Sequence, residues 1–149
     1  MNAKEVIEKI NYITLATVDE KGNPWNSPVF AAYDKDYNFY WGTHRDSQKS
    51  NNIRINKNIF LVIYDSTVPD GQGKGVYIKA TAKELNDPKE IEFAHKLLTK
   101  RHTSPYWKLE QVQGNAPIRL YKATSKKIWM NGEGEKDGHY IDTRVEIHL

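Results

Sequence analysis

The chain has 149 residues, with 22 lysines and arginines against 19 aspartates and glutamates, a net charge of +3 and no cysteine. A domain of this length buries about 70% of the surface that its unfolded chain exposes, so it can form a core without a metal or a disulfide. The lack of cysteine excludes disulfides, thiolate zinc sites, cysteine nucleophiles and iron–sulfur clusters. We therefore predict a single domain over residues 1–149.

The sequence offers no segment that would enter a membrane. Its longest apolar run is Ile59–Tyr64, whereas a spanning helix needs about 20 residues. The start, Met1–Glu5, mixes charges before any apolar stretch, so we expect a cytoplasmic protein with no secretory leader and no membrane partner. Acidic and basic residues are interspersed, which argues against nucleic acid as a partner.

In the first half of the chain, hydrophobic spacing mostly predicts strands. Val6, Ile7 and Ile10 recur at helical spacing and indicate a short amphipathic helix. Pro28 lies inside the second strand pattern and favours an edge or a bulge there, because proline has no N–H for a ladder. The predicted elements are a helix at 3–11, strands at 12–18, 25–33 and 39–42, a helix at 47–56, and a strand at 59–64.

The second half contains one longer helix between strand patterns. Asp87 is a suitable N-cap, with Pro88 at the first helical position and Glu90 completing a capping box. The other predicted elements are a loop at 66–75, a strand at 76–82, a helical turn at 104–111, and strands at 118–130 and 139–149, separated by the glycine-rich Asn131–Gly134. Six or seven strands joined mostly by tight turns predict a mainly β protein: a small antiparallel barrel with flanking α-helices.

Several familiar kinds of site are missing. The five histidines form no short-spaced metal-ligand set, so no metal site is expected. The segment Gly71–Gly75 leads into a strand, whereas a phosphate-binding loop needs a helix start after it. No Gly-x-Ser-x-Gly nucleophile motif occurs. The sequence therefore shows no catalytic constellation of side chains.

The stretch from Trp41 to Arg54 is the most informative part of the chain. An aromatic strand ends at a glycine, hydroxyl and amide side chains follow, and Lys49 and Arg54 lie on the predicted helix. Free N–H groups at a helix start, together with one or two cations, can hold a phosphate monoester beside a planar ring. The alternative is that Ser47 only caps the helix while Lys49 and Arg54 are solvated.

The order and spacing of these short motifs resemble one known family. The motifs are Asn26–Phe30, Phe39–Thr43, Ser47–Lys49, Ile59–Tyr64, Arg119–Lys122 and Trp129–Gly132. Together they resemble the FMN-binding split-barrel family related to pyridoxamine 5'-phosphate oxidase, in particular its small single-domain members grouped with general stress proteins. The resemblance implies a split β-barrel, an FMN cofactor and a homodimer that completes the flavin site.

The resemblance also implies particular cofactor contacts. One strand would contribute Ser27, Pro28 and Val29 at the ring edge, and the next strand would contribute Trp41, Gly42 and Thr43. The start of the helix would contribute Ser47, Gln48 and Lys49 for the phosphate. The second subunit would contribute Trp129 near the flavin. For Trp41 the alternative is ordinary barrel packing. For Trp129 the alternative is an interface aromatic without a ligand contact.

The chain departs from the oxidase of this family at its substrate site. Gln48 precedes Lys49 where the oxidase has an arginine, and the Arg-x-His pair that holds the vitamin substrate is missing. We therefore expect a substrate other than pyridoxamine phosphate.

Three hypotheses follow. The first is an FMN-dependent oxidoreductase that acts on a small molecule at a homodimer interface, with a reduced nicotinamide as candidate donor. The second is a non-catalytic flavin- or haem-binding or sensing module of the same fold. The third, with the least support, is a nucleic-acid binder on an OB-like barrel.

Overall fold

The computed structural model, which describes residues 1–149, is an eight-stranded antiparallel sheet with three α-helices. The mainly β class with flanking helices is thus confirmed. The elements are α1 (Ala3–Lys9), β1 (Tyr12–Val18), β2 (Pro24–Phe30), β3 (Ala32–Tyr33), β4 (Phe39–His44), α2 (Gln48–Ile55), β5 (Asn58–Tyr64), β6 (Gly75–Glu84), α3 (Pro88–Arg101), a 3-10 turn (Leu109–Gln111), β7 (Ile118–Lys136) and β8 (His139–Ile147).

The strand count exceeds the predicted six or seven because the predicted strand at 25–33 is two strands. β2 pairs with β1, whereas β3 pairs with β4. The chain changes partner at Ala31, whose N–H donates to the carbonyl of Asn11 at 3.0 Å. Residues 29–33 form a continuous apolar run without a turn signal, so the change of partner was not apparent from local pattern.

The sheet curls into a barrel that stays open along one line. The strand order is β2-β1-β5-β6-β7-β4-β3, with β8 on the far side of β7. β2 pairs only with β1, and β4 beyond Tyr40 pairs only with β7. β2 and β4 lie in contact but form no ladder. We call this line the seam; its position confirms that Pro28 lies on an edge strand.

The main core fills the inside of the barrel, where alternate residues of the strands point. Leu15, Leu61 and Ile78 are opposed across β1, β5 and β6 and are fully buried. The buried face of α1, with Val6 and Ile7, joins the same cluster. This period-two burial is what the alternating sequence pattern predicts.

A second core lies between α3 and the outside of the sheet. Ile91, Ala94 and Leu98 of α3 pack with Leu120 of β7 and Tyr40 of β4. This core fixes the point at which the chain leaves α3, and so places the segment that follows it.

The cap of α3 is only half as predicted. Asp87 accepts from the N–H of Glu90 at 3.1 Å, as expected of an N-cap. The Glu90 carboxylate does not return the bond, because it pairs with Lys83 at 3.1 Å instead.

The predicted break at Asn131–Gly134 is wrong. These residues continue β7, and the turn lies at Asp137–Gly138, both with positive φ as an Asp-Gly hairpin turn requires. A Cβ on Gly132 would lie 2.7 Å from Thr143 Oγ1 on the paired strand. Glycine is therefore needed in this strand for close side-chain approach rather than for a turn.

The helices of the structure are all too short or too polar to cross a bilayer.

The barrel core predicts the effect of a truncation. Leu61→Ala removes a fully buried side chain and should lower the free energy of unfolding by about 2–5 kcal/mol, since it leaves a cavity. Lys79→Ala on the neighbouring strand is exposed and should change it by no more than about 0.5 kcal/mol. Urea unfolding of both variants measures this; equal losses would show that Leu61 is not part of a close-packed core.

Candidate functional site

A cavity of about 530 Å³ opens at the seam. Its walls come mainly from β2, from the part of β4 that has no strand partner on its seam side, from the start of α2 and from the segment between α3 and the 3-10 turn. The lining residues are Tyr12, Pro28, Val29, Phe30, Gly42, Thr43, Lys49, His102, Pro105, Tyr106, Trp107 and Gln111. The volume lies in the range of about 300–1,000 Å³ that is usual for small-molecule and cofactor sites.

The two strands that border the cavity each have an edge without a strand partner. β2 has no neighbour beyond β1, and Trp41–His44 have none beyond β7. Backbone N–H and C=O groups on such edges need hydrogen-bond partners. A flat ligand with donors and acceptors around its rim could satisfy them.

Five of the ten predicted contact residues line this cavity. They are Pro28, Val29, Gly42, Thr43 and Lys49. The structure thus brings together the predicted parts of β2, β4 and α2, which are separate in the sequence.

Lys49 is the cation of the cavity. Its ammonium forms no hydrogen bond or ion pair within the chain, and burial lowers its pKa, with no neighbouring acid to offset this. A bound anion would oppose this shift, because an opposite charge within a few ångströms raises a lysine pKa.

Ser47 and Gln48 do not line the cavity, and both side chains are used inside the fold. Ser47 caps α2, with its Oγ accepting from the N–H of Ser50 at 3.4 Å. Gln48 donates from Nε2 to Oδ1 of the fully buried Asn52 at 2.7 Å, and Asn52 donates to Thr17 at 2.9 Å. The phosphate role of Ser47 and Gln48 stays a prediction.

Arg54 is also held by the chain. Its guanidinium donates to the carbonyl of Arg45 at 2.6 Å and to the side chain of Asn51, and lies 3.9 Å from Glu84. It is therefore not a free second cation for the cavity.

Trp41, Ser27 and Trp129 lie outside the cavity lining. The Trp41 side chain is fully buried in the barrel core and stacks on Tyr121 at 5.8 Å between ring centroids, so only its backbone borders the seam. Ser27 precedes the lining residues on β2. Trp129 stacks on Phe60 at 6.2 Å, and its proposed contact with a second subunit remains a prediction.

The sequence interpretation missed the aromatic wall of the cavity, formed by Phe30, His102, Tyr106 and Trp107. The ring of His102 lies 3.8 Å from that of Phe30 and 4.6 Å from that of Tyr106. Burial lowers the pKa of His102, so its imidazole is neutral at pH 7. The available signal was the pair Tyr106-Trp107, two large aromatics in a segment without regular periodicity.

Gly42 lets this wall approach β4 closely. A Cβ on Gly42 would lie 2.5 Å from Tyr106 Oη and 2.9 Å from Trp107 Cζ3. The predicted helical turn at 104–111 is confined to Leu109–Gln111, which leaves Tyr106 and Trp107 in an extended segment against the strand.

The structure contains no group of three or more histidine, aspartate or glutamate side chains that could hold a metal ion.

An open barrel with a cavity at its seam is a split barrel. The family model described as pyridoxamine 5'-phosphate oxidase matches residues 2–132. The chain therefore belongs to the pyridoxamine 5'-phosphate oxidase family, and the resemblance noted from the motifs is confirmed at the level of the family. No curated protein matches the sequence.

Solved structures share the fold at low sequence identity. Protein Rv2991 of Mycobacterium tuberculosis, a conserved hypothetical protein, has a TM-score of 0.69 at 20% identity, covering 86% of this chain and 82% of its own. A structure titled F420 reductase has a TM-score of 0.64 at 19% identity, covering 86% and 96%. A heme-binding protein of Mycobacterium smegmatis has a TM-score of 0.68 at 14% identity, covering 96% and 58%.

The contact at Gly42 can be tested by adding one methyl group. Gly42→Ala would place a Cβ against Tyr106 and Trp107 and should cost about 1–3 kcal/mol of unfolding free energy, because overpacking forces the wall outward. Gly73→Ala, whose Cβ would meet nothing closer than 3.8 Å, is the matched control. Denaturant unfolding measures both, and an equally small effect of Gly42→Ala would show that the wall does not press on β4.

Proposed function

We propose that this chain binds FMN at the seam and acts as an oxidoreductase on a small molecule, as a homodimer. The observation that carries the proposal is the unpaired, half-buried Lys49 in a cavity of about 530 Å³ bordered by two unpaired strand edges. The family adds support, because one structural neighbour carries the name F420 reductase, and coenzyme F420 is a flavin analogue.

The residues of the cavity suit the phosphate and the ring of FMN. Lys49 would hold the phosphate, since a lysine–phosphate contact is charge-assisted and the Lys49 ammonium has no partner within the chain. The edges of β2 and β4, at Pro28–Val29 and Gly42–Thr43, would face the rim of the ring. The aromatic wall offers flat surfaces that pack against a planar system.

When bound, FMN would supply hydride transfer at its ring, and the protein would supply position, electrostatics and exclusion of water. These roles would account for the absence of a recognisable catalytic constellation from the sequence. Phe30, Tyr106 and Trp107 would keep water from one side of the cavity. His102, neutral at pH 7, would be available in the same wall to exchange a proton with a small substrate.

A second copy of the chain is proposed because the β7–β8 hairpin carries uncovered apolar side chains. The exposed fractions of Tyr140, Ile141 and Val145 are 71%, 43% and 57%. Apolar side chains grouped on a projecting hairpin favour a protein partner, and a second copy gives a closed symmetric pair.

Visible absorption tests the central proposal. Protein purified in the presence of FMN should be yellow, and titration of apoprotein with FMN should saturate at one flavin per chain. Consumption of a reduced nicotinamide with added electron acceptors then separates an enzyme from a non-catalytic flavin module. If the protein remains colourless and does not change the absorption spectrum of added FMN, the proposal is wrong.

Haem binding is a second candidate, and His102 favours it. The His102 imidazole lines the cavity, forms no hydrogen bond and is neutral at pH 7, which is the form that binds haem iron. One structural neighbour is titled a heme-binding protein. A haem spectrum that develops on titration, with no response to FMN, would favour this candidate.

If Lys49 binds the phosphate, removing its ammonium should weaken the binding of FMN but not that of riboflavin. Lys49→Ala should weaken FMN by about 1.5–3 kcal/mol, roughly 10- to 150-fold, because a charge-assisted contact is lost. The affinity for riboflavin, which lacks the phosphate, should stay nearly the same. Lys79→Ala, exposed on β6, is the control. Fluorescence titration with both ligands measures the difference, and equal losses for FMN and riboflavin would place Lys49 away from the phosphate.

The hairpin predicts the oligomeric state. Light scattering should give a dimer for the native chain and a monomer for Val145→Asp, because a charge at this exposed position opposes burial against a second copy. Lys136→Asp, at the hairpin end, should remain dimeric. A native monomer would contradict the dimer proposal.

A further inference from the structure

Tyr106 has a polar atom that the chain itself leaves without a partner. Four buried side-chain nitrogen or oxygen atoms lack a hydrogen bond: Trp41 Nε1, Arg101 Nε, Arg119 Nε and Tyr106 Oη. The two arginines use their other nitrogens, and Trp41 lies inside the barrel. Tyr106 is therefore the member of this set that lines the cavity.

A buried hydroxyl without a partner costs stability, so such a group in a binding cavity points to a ligand. Burial raises the pKa of Tyr106, and the phenol therefore stays protonated and can donate. The complementary group is an acceptor, such as a carbonyl oxygen or an unprotonated ring nitrogen.

Tyr106 is held by contacts of its own ring and of the segment that carries it. His95 Nε2 lies 2.6 Å from the carbonyl oxygen of Trp107 and ties the segment to α3. The ring of Tyr106 packs against His102 at 4.6 Å and against Trp107 at 5.2 Å. Because Gly42 has no side chain, the hydroxyl reaches the backbone of β4.

Tyr106 Oη is closed off against Gly42 within the chain. We propose that the aromatic wall shifts when a planar ring binds at the seam, so that Oη donates a hydrogen bond to an acceptor on the ring's rim and determines which rings the site accepts. The inference rests on the proposed function, since the ring in question is that of FMN. It assigns ring recognition to the segment after α3, whereas Lys49 serves the phosphate. Rings with an acceptor at this position are retained, and rings with a donor or a methyl group there are rejected.

The test removes one oxygen atom. Tyr106→Phe should weaken both FMN and riboflavin by about threefold to tenfold, because each contains the ring. Tyr64→Phe removes a hydroxyl at the end of β5, outside the cavity, where Tyr64 is 49% exposed, and should leave both affinities unchanged. Fluorescence titration gives the affinities, and the visible spectrum of bound flavin should differ between Tyr106→Phe and the native protein.

A second measurement needs no ligand. Since Oη has no partner in the chain, the ligand-free Tyr106→Phe protein should be at least as stable as the native protein in urea unfolding. A loss of stability would mean that the hydroxyl already has a partner, and would overturn the inference.

The outcomes separate the inference from the proposed function. If native protein binds flavin and Tyr106→Phe binds it equally well or more tightly, the hydroxyl does not contact the ring; the inference then fails while the proposed function stands. If native protein binds neither FMN nor riboflavin, the proposed function fails, and the inference fails with it.

Discussion

The site depends on a barrel that does not close. β2 and β4 lie side by side without a ladder, so two strand edges keep backbone groups that no other strand satisfies. Exposed edges are usually covered or blunted, because they invite pairing with other chains. Here the segment after α3 stands over the seam and leaves a cavity between itself and the two strands. The candidate site is the consequence of that incomplete cover.

Two polar groups in the cavity lack partners within the chain, and each costs stability. Lys49 is half-buried with no acid beside it, and Tyr106 Oη is buried with no hydrogen bond. The nearby polar groups of α2 are satisfied internally, as the bonds of Gln48 and Asn52 show. Proteins tend to break such local rules at functional sites, where a ligand supplies the missing partner.

Much of the fold could be predicted from local pattern. The alternation of apolar residues located most strands, and Pro28 identified an edge strand. The errors occurred where a partner strand decides the structure. Asn131–Gly134 resembles a turn in isolation, but opposite β8 its glycines make room for Thr143 and Ile141. The division of 25–33 into β2 and β3 likewise follows from a change of pairing partner.

The sequence by itself determined the strand-rich class and a set of ten candidate residues in the order typical of one family. Only the tertiary structure decided which of them share a cavity. Neighbours on a strand point to opposite faces, so Trp41 enters the core while Gly42 faces the aromatic wall. Tyr106 and His102 joined the site because α3 packs across β4 and β7. Such long-range packing has no periodicity of its own, and local spacing therefore cannot predict it.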